Sequence, residues 1–179
     1  MRGFVFNVRR KERSEYRSKI SLLLVILSLL FVDQASKFVV YKYLPRGKSF
    51  AVREGCFYLT IVENKGTAFG LFSTHPRFFF FLCLGAVIFL FYYLFLKKKK
   101  EMGLQFPLAL ILAGAAGNLL DRLRLGFVID FLDFRIWPVF NFADVFICTG
   151  IGIAMIKLLR STGVSEKEGY ASHPELPEK

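Results

Sequence analysis

The sequence predicts an all-α integral membrane protein, with four transmembrane helices and a small extracytoplasmic β-hairpin platform between spans one and two. Three observations predict it. Hydrophobic residues make up 54% of 179, and 22 of them are Phe, more apolar surface than a soluble chain of this length can hide. Four apolar runs come close to the ~20 residues that a spanning helix needs. The basic residues behind a formal charge of +11 stand in blocks that flank those runs. Such blocks fit a membrane topology rather than nucleic acid binding.

Residues 1–19 carry seven Arg or Lys against Glu12 and Glu15 and read as a solvated basic cytoplasmic arm. A single four-span membrane domain, 20–160, follows. Its first span is Ile20–Val40; with Asp33 and Lys37 inside it and no convincing cleavage site, it reads as retained rather than as a signal peptide. Pro45-Arg46-Gly47 ends that helix. Ser49–Glu63 is rich in β-branched and aromatic residues, and Glu54-Gly55 marks a turn between two short strands. Asn64-Lys65-Gly66 opens a loop. Span two is Phe78–Leu96, stopped by Lys97–Lys100; span three is Leu104–Leu120; span four is Val139–Leu159, closed by Lys157 and Arg160. The segment 161–179 reads as a disordered polar cytoplasmic tail.

Charge sets the expected orientation. The arm, the four-lysine loop and the end of span four hold seven, four and two basic residues close to the spans. The opposite loops, Tyr41–Arg77 and Asp121–Trp137, hold six and three. Both termini are therefore expected in the cytoplasm, with the hairpin and the 121–137 loop outside.

Cys56, Cys83 and Cys148 are far apart and form no metal or disulfide pattern, so they read as packing residues. His75 and His173 have no catalytic partner at a telling spacing. The chemistry falls to acids and amides near the outer ends of the spans, since a charge inside a membrane is costly and kept for a reason. Asp33 and Lys37 lie four apart on one helix face, either as an internal ion pair or with Lys37 reaching outward to a substrate or another carboxylate. Ser36 and Lys37 point about 100° apart and cannot serve each other. Asn64 and Gly66 form either a plain turn or a loop that offers side-chain hydrogen bonds to a peptide. Asn118, Asp121 and Arg122 follow the small run Ala113–Gly117, which permits close helix approach, and read as a polar network. Asp130, beside a solvated Asp133, lies just beyond span three; Asp144 lies in the apolar start of span four, one turn after Asn141. Two carboxyls at matching depth would share a proton, one acting as base on water while the other donates to a carbonyl.

Five ordered motifs, DQASK, NKGTAFG, GAAGNLLDR, GFVIDF and FNFAD, give the chain a resemblance to the lipoprotein signal peptidases, the bacterial type II signal peptidases. The resemblance runs from about Ile20 to Leu159. It implies an aspartyl endopeptidase of the bacterial inner membrane, without metal or cofactor, with its active site toward the outer face. Its substrates would be diacylglyceryl-modified prolipoproteins, cut just before the lipidated cysteine, and its surroundings membrane lipid. It implies Asp130 and Asp144 as the catalytic pair. Asp33, Lys37, Asn64, Gly66, Asn118, Arg122 and Asn141 would bind substrate or support the site, and Asp121 becomes a structural acid. Thr67 stands where the family often has Ala. A monomer is expected. A small proton-coupled transporter would explain Asp33, Lys37 and Asp144 but not the Gly-Asn-x-x-Asp-Arg run. A metal-dependent membrane phosphatase would lack its usual Arg and His cluster.

Overall fold

The structure is a computed structural model that describes residues 2–66, 76–97 and 102–171. Thr67–Gly70, His75, Lys98–Lys100 and His173, which the sequence analysis used, lie outside the described residues.

Helix α1 runs over Arg2–Tyr43 without a break, so the basic arm and the first span are one helix. It stops before Pro45, whose ring disfavours α geometry in the residue ahead of it. Strands β1 (Ser49–Arg53) and β2 (Phe57–Asn64) form the expected antiparallel hairpin. Gly55 turns between them at φ 75°, and the Cys56 amide closes the turn on the Arg53 carbonyl at 3.1 Å. Helix α2 (Pro76–Phe91) continues as a π turn over Tyr92–Leu96. A 3-10 turn at Met102–Leu104 leads into α3 (Gln105–Leu125), and α4 spans Phe142–Ala171.

Among the described residues, three helical stretches are long and apolar enough to cross a membrane: Arg13–Tyr43, Gln105–Leu125 and Phe142–Arg160; the apolar stretch Phe80–Leu96 is shorter. Their outward side chains are apolar, among them Leu24, Phe31, Phe38, Phe81 and Phe89, a surface suited to lipid. The chain is a multi-pass membrane protein. Helix α3 is its centre, 61% buried along the apolar window against 22% in α1 and 11% in α4. Its small residues put it there. A Cβ at Gly114 would strike the Ala143 carbonyl and come within 2.8 Å of Ile147 Cγ1, so only Gly lets α4 lie this close.

Several expectations are corrected. Residues 121–137 are not a loop throughout. Helix α3 continues to Leu125, where Gly126 at φ 82° caps it by donating to the Arg122 carbonyl at 3.1 Å. Val128–Asp133 then forms β3, buried along its length and antiparallel to β2. The fold is therefore mostly helical with a three-stranded sheet, not all-α with a hairpin. The reason is physical: a two-stranded hairpin is marginal alone, and β3 brings Phe131 and Leu132 to a cluster with Val40, Phe57 and Leu59. Asp133, expected in solvent, is 5% exposed. It accepts from Thr60 Oγ1 at 2.8 Å and from the Arg135 amide at 2.9 Å. Helix α4 begins at Phe142, later than the expected Val139, because Phe140 bridges to Leu132. Helix α4 also carries on past Ser161 to Ala171, since extending an existing helix is far cheaper than starting one. Of the cysteines, Cys83 is half-buried and donates to the Ala115 carbonyl at 3.2 Å, whereas Cys56 and Cys148 are exposed and pack nothing in.

Candidate active site

The acids and amides converge where the last turns of α1 and α3, the strand β3 and the first turn of α4 meet. At the bottom lies Lys37, 1% exposed. Its ammonium contacts Asp33 Oδ2 at 3.0 Å and Asp121 Oδ2 at 2.9 Å and donates to Asn118 Oδ1 at 2.9 Å. Lys37 is thus ion-paired within α1 and also to a second carboxylate on α3. Three donors with three acceptors are what a buried ammonium needs to offset its lost hydration.

Each carboxylate of this cluster also accepts from a backbone amide. Asp33 Oδ1 accepts from the Ala143 amide at 3.0 Å, satisfying a free N–H in the first turn of α4, where negative charge is favoured. A side chain at position 117 would collide with Asp33 Oδ2, so Gly117 makes room for the acid. Asp121 Oδ2 accepts from the Ile129 amide at 3.2 Å and ties β3 to α3. Gln34, which the sequence analysis passed over, joins the two acids: its Nε2 donates to Asp33 Oδ2 at 3.1 Å, Asp121 Oδ1 at 3.0 Å and the Gly117 carbonyl at 3.2 Å. A polar residue beside Asp33 in an apolar run was the available signal.

Above this base sit Asp130 and Asp144. Asn141 caps α4, and its side chain accepts from the Asp144 amide at 3.1 Å while Asp144 Oδ2 accepts from the Asn141 amide at 3.1 Å. This is a reciprocal capping box built from Asn and Asp. The Asn141 Nδ2 donates to Asp130 Oδ1 at 2.6 Å and Asn118 Oδ1 at 3.2 Å. Asn118 Nδ2 donates in turn to Asp144 Oδ1 at 2.9 Å. One residue therefore bridges the two carboxyls.

The remaining Asp130 oxygen accepts from Asn64 Nδ2 at 2.8 Å. The register explains this contact: Asn64 pairs with Val128 and Val62 with Asp130, so Asn64 and Asp130 are diagonal neighbours across the strands. Gly66, at φ 107°, donates its amide to Asn64 Oδ1 at 2.9 Å. That bond fixes the amide so that Nδ2 faces the acid. Arg122 touches neither aspartate; its Nη1 donates to the Asn118 carbonyl at 3.2 Å.

Expected exposures are reversed. Asp130, read as the loop carboxyl, is 2% exposed, while Asp144, read as held in an apolar helix, is half-buried. Burial pushes the Asp130 carboxyl up to about 7; the Asn64 and Asn141 bonds and Lys37 oppose the rise, and the charge of Asp144 adds to it. The site thus presents a carboxyl that holds its proton near neutrality, coupled to a second and more accessible one.

The chain is similar to known proteins along most of its length. The family described as signal peptidase (SPase) II matches residues 25–160. The lipoprotein signal peptidase of Pelotomaculum thermopropionicum is 42% identical over 82% of this chain and 97% of its own length. That of Moorella thermoacetica is 43% identical over the same shares. A bacterial membrane enzyme solved by the in meso method superposes with a TM-score of 0.72 at 28% identity, covering 88% of this chain and 94% of that one.

Proposed function

This chain belongs to the signal peptidase II family, and from that premise we propose that it removes signal peptides from diacylglyceryl-modified prolipoproteins, with Asp130 and Asp144 as its catalytic pair. The observation that carries the assignment is the bridge through Asn141, which couples a proton-holding carboxyl to an accessible one. Asp144 takes a proton from a water as the water oxygen attacks the scissile carbonyl carbon. Asp130 gives its proton to the carbonyl oxygen. On collapse the C–N bond breaks, Asp144 passes its proton to the departing amine, and a hydroxyl of the intermediate returns one to Asp130. Water is consumed and neither carboxyl changes overall. Asn64, Gly66, Asn118 and Asn141 hold the pair; Asp33, Lys37 and Asp121 hold the elements beneath it; Arg122 props Asn118 from outside.

The reading extends to placement. Four spans, with Pro76–Leu96 as the second, put both termini in the cytoplasm of a bacterial inner membrane. The sheet and the aspartates then lie toward the outer face. The basic blocks support this, as does the gathering of site residues at one end of the helices. The enzyme works as a monomer among membrane lipids, its substrate's acyl chains lying in the bilayer.

The test is cleavage of a diacylglyceryl-modified prolipoprotein by the purified protein. Asp130→Asn and Asp144→Asn, still inserted and substrate-binding, should each lose on the order of 10³-fold or more in turnover. The double variant should be little worse, because the two act as a unit. Near-normal turnover in either single variant rules the pair out.

A further inference from the structure

Bordering the aspartate site, a cavity of about 190 Å³ is lined by Lys65, Arg77, Phe80, Arg122 and Gly126. Three of those five residues are cations and none is acidic. Among the described residues, none of the three makes an ion pair with a carboxylate. Residues 67–75, the chain between Lys65 and Arg77, contain no acid either. Three like charges around one hollow repel one another, and an anion seated among them would relieve that repulsion. Two are arginines, whose planar forks match phosphate oxygens in pairs.

The surroundings narrow the choice of anion. Arg77 stands in the first turn of α2, and Phe78, Phe80 and Phe81 follow it directly, with Phe78 and Phe81 exposed. A cation immediately above lipid-facing aromatic rings is the pattern of a membrane–water boundary. Phe80 forms an apolar wall of the same cavity, which a lipid's glycerol backbone can cover and a free ion cannot use. We infer that this cavity binds the phosphate of an anionic phospholipid headgroup, with Lys65, Arg77 and Arg122 as its cations and Phe80 beneath the glycerol. The inference does not rest on the assignment of the catalytic pair, and its test contains no substrate.

The full chain is purified from mixed phosphatidylglycerol and phosphatidylcholine, and retained lipid is counted by native mass spectrometry. Wild type should keep phosphatidylglycerol in preference to phosphatidylcholine. Arg77→Gln and Lys65→Gln should each cut that preference about fivefold, the size expected for one basic residue at an anionic surface, and the double variant should abolish it. Arg77→Lys, which keeps the charge, should retain most of it. Should the Gln variants fail to fold, wild type still decides: its preference must weaken as salt rises. Equal lipid retention by wild type and the folded double variant, or a salt-independent preference, overturns the inference. So does inorganic phosphate that binds lipid-free micelles and displaces phosphatidylglycerol at equal concentration, which would make this a site for a free ion.

Discussion

Lys37 concentrates the risk in this molecule at one atom. Its ammonium serves Asp33, Asp121 and Asn118 with almost no access to water. Replacing it by Met strands two carboxylates, and breaking a buried ion pair from one side costs about 3–5 kcal/mol. Lys37→Met should therefore unfold at markedly lower temperature in detergent, with activity lost as a consequence. An unchanged melting curve would mean that the pair is solvated. Asp133 belongs to the same scale. Because it joins Thr60 of β2 to the Arg135 amide, Asp133→Asn should cost roughly 1–3 kcal/mol, contrary to the silence that a solvated acid would give. At Asp130 the pKa of about 7 lies above the ~3.9 of a free Asp. The sign follows: its stabilising share is fully present below about 4 and is lost as pH rises through 7. Asp130→Asn should flatten the fall in melting temperature across that window. If Asp130 must donate a proton, wild-type kcat/KM should drop toward tenfold per pH unit above about 7. A rate flat to pH 9 would remove Asp130 as the acid.

Among the elements, the first turn of α4 does two jobs, as a helix start and as the joint between the carboxyls. Losing an Asn cap alone costs about 1 kcal/mol. Asn141→Ala should therefore lower stability modestly yet reduce cleavage by on the order of 100-fold, the price of a small misplacement of reacting groups. Parallel losses in stability and rate would leave Asn141 as a cap only. How far such joints can be read in a sequence depends on whether the partners are neighbours in the chain. Asp33 with Lys37 and Asn141 with Asp144 were legible because helical spacing puts them together. The hairpin was legible from its β-branched run and Gly55. Strand β3 was not. Val128–Asp133 carries two acids in six residues, which reads as a polar loop, and its burial comes from β2 and α1, more than 60 residues away in sequence. Asp130 and Asp133 were given the wrong depth for that one reason. Gln34 was visible but unread, since its partners Asp121 and Gly117 lie on another helix.

For the molecule as a whole, the number of bilayer crossings decides which elements share a membrane face. Arg13–Tyr43, Gln105–Leu125 and Phe142–Arg160 have spanning length. The stretch between them has sixteen α-helical residues and a five-residue π turn, together about 30 Å at ~1.5 Å per residue, close to the thickness of a hydrocarbon core. Sequence and length thus permit a fourth crossing, and any shortfall can be met by local thinning of the bilayer. Three crossings would put the termini on opposite sides and leave β1 and β2 on the side opposite β3 and the start of α4, although β2 and β3 are paired. The proposed four keep the sheet, the α3–β3 junction and the start of α4 on a common side, which fits the bonds among Asn64, Asp121, Asp130 and Asn141. The exposed Cys56, in the turn between β1 and β2, is a native reporter. With Cys83 and Cys148 replaced by Ala, an impermeant maleimide should label Cys56 in intact cells. In chains that also carry Cys56→Ser, Lys97→Cys and His173→Cys should be labelled only after the membrane is opened. Labelling of Lys97→Cys in intact cells would place both ends of α2 on one side, leaving three crossings and a different path for the substrate's signal helix.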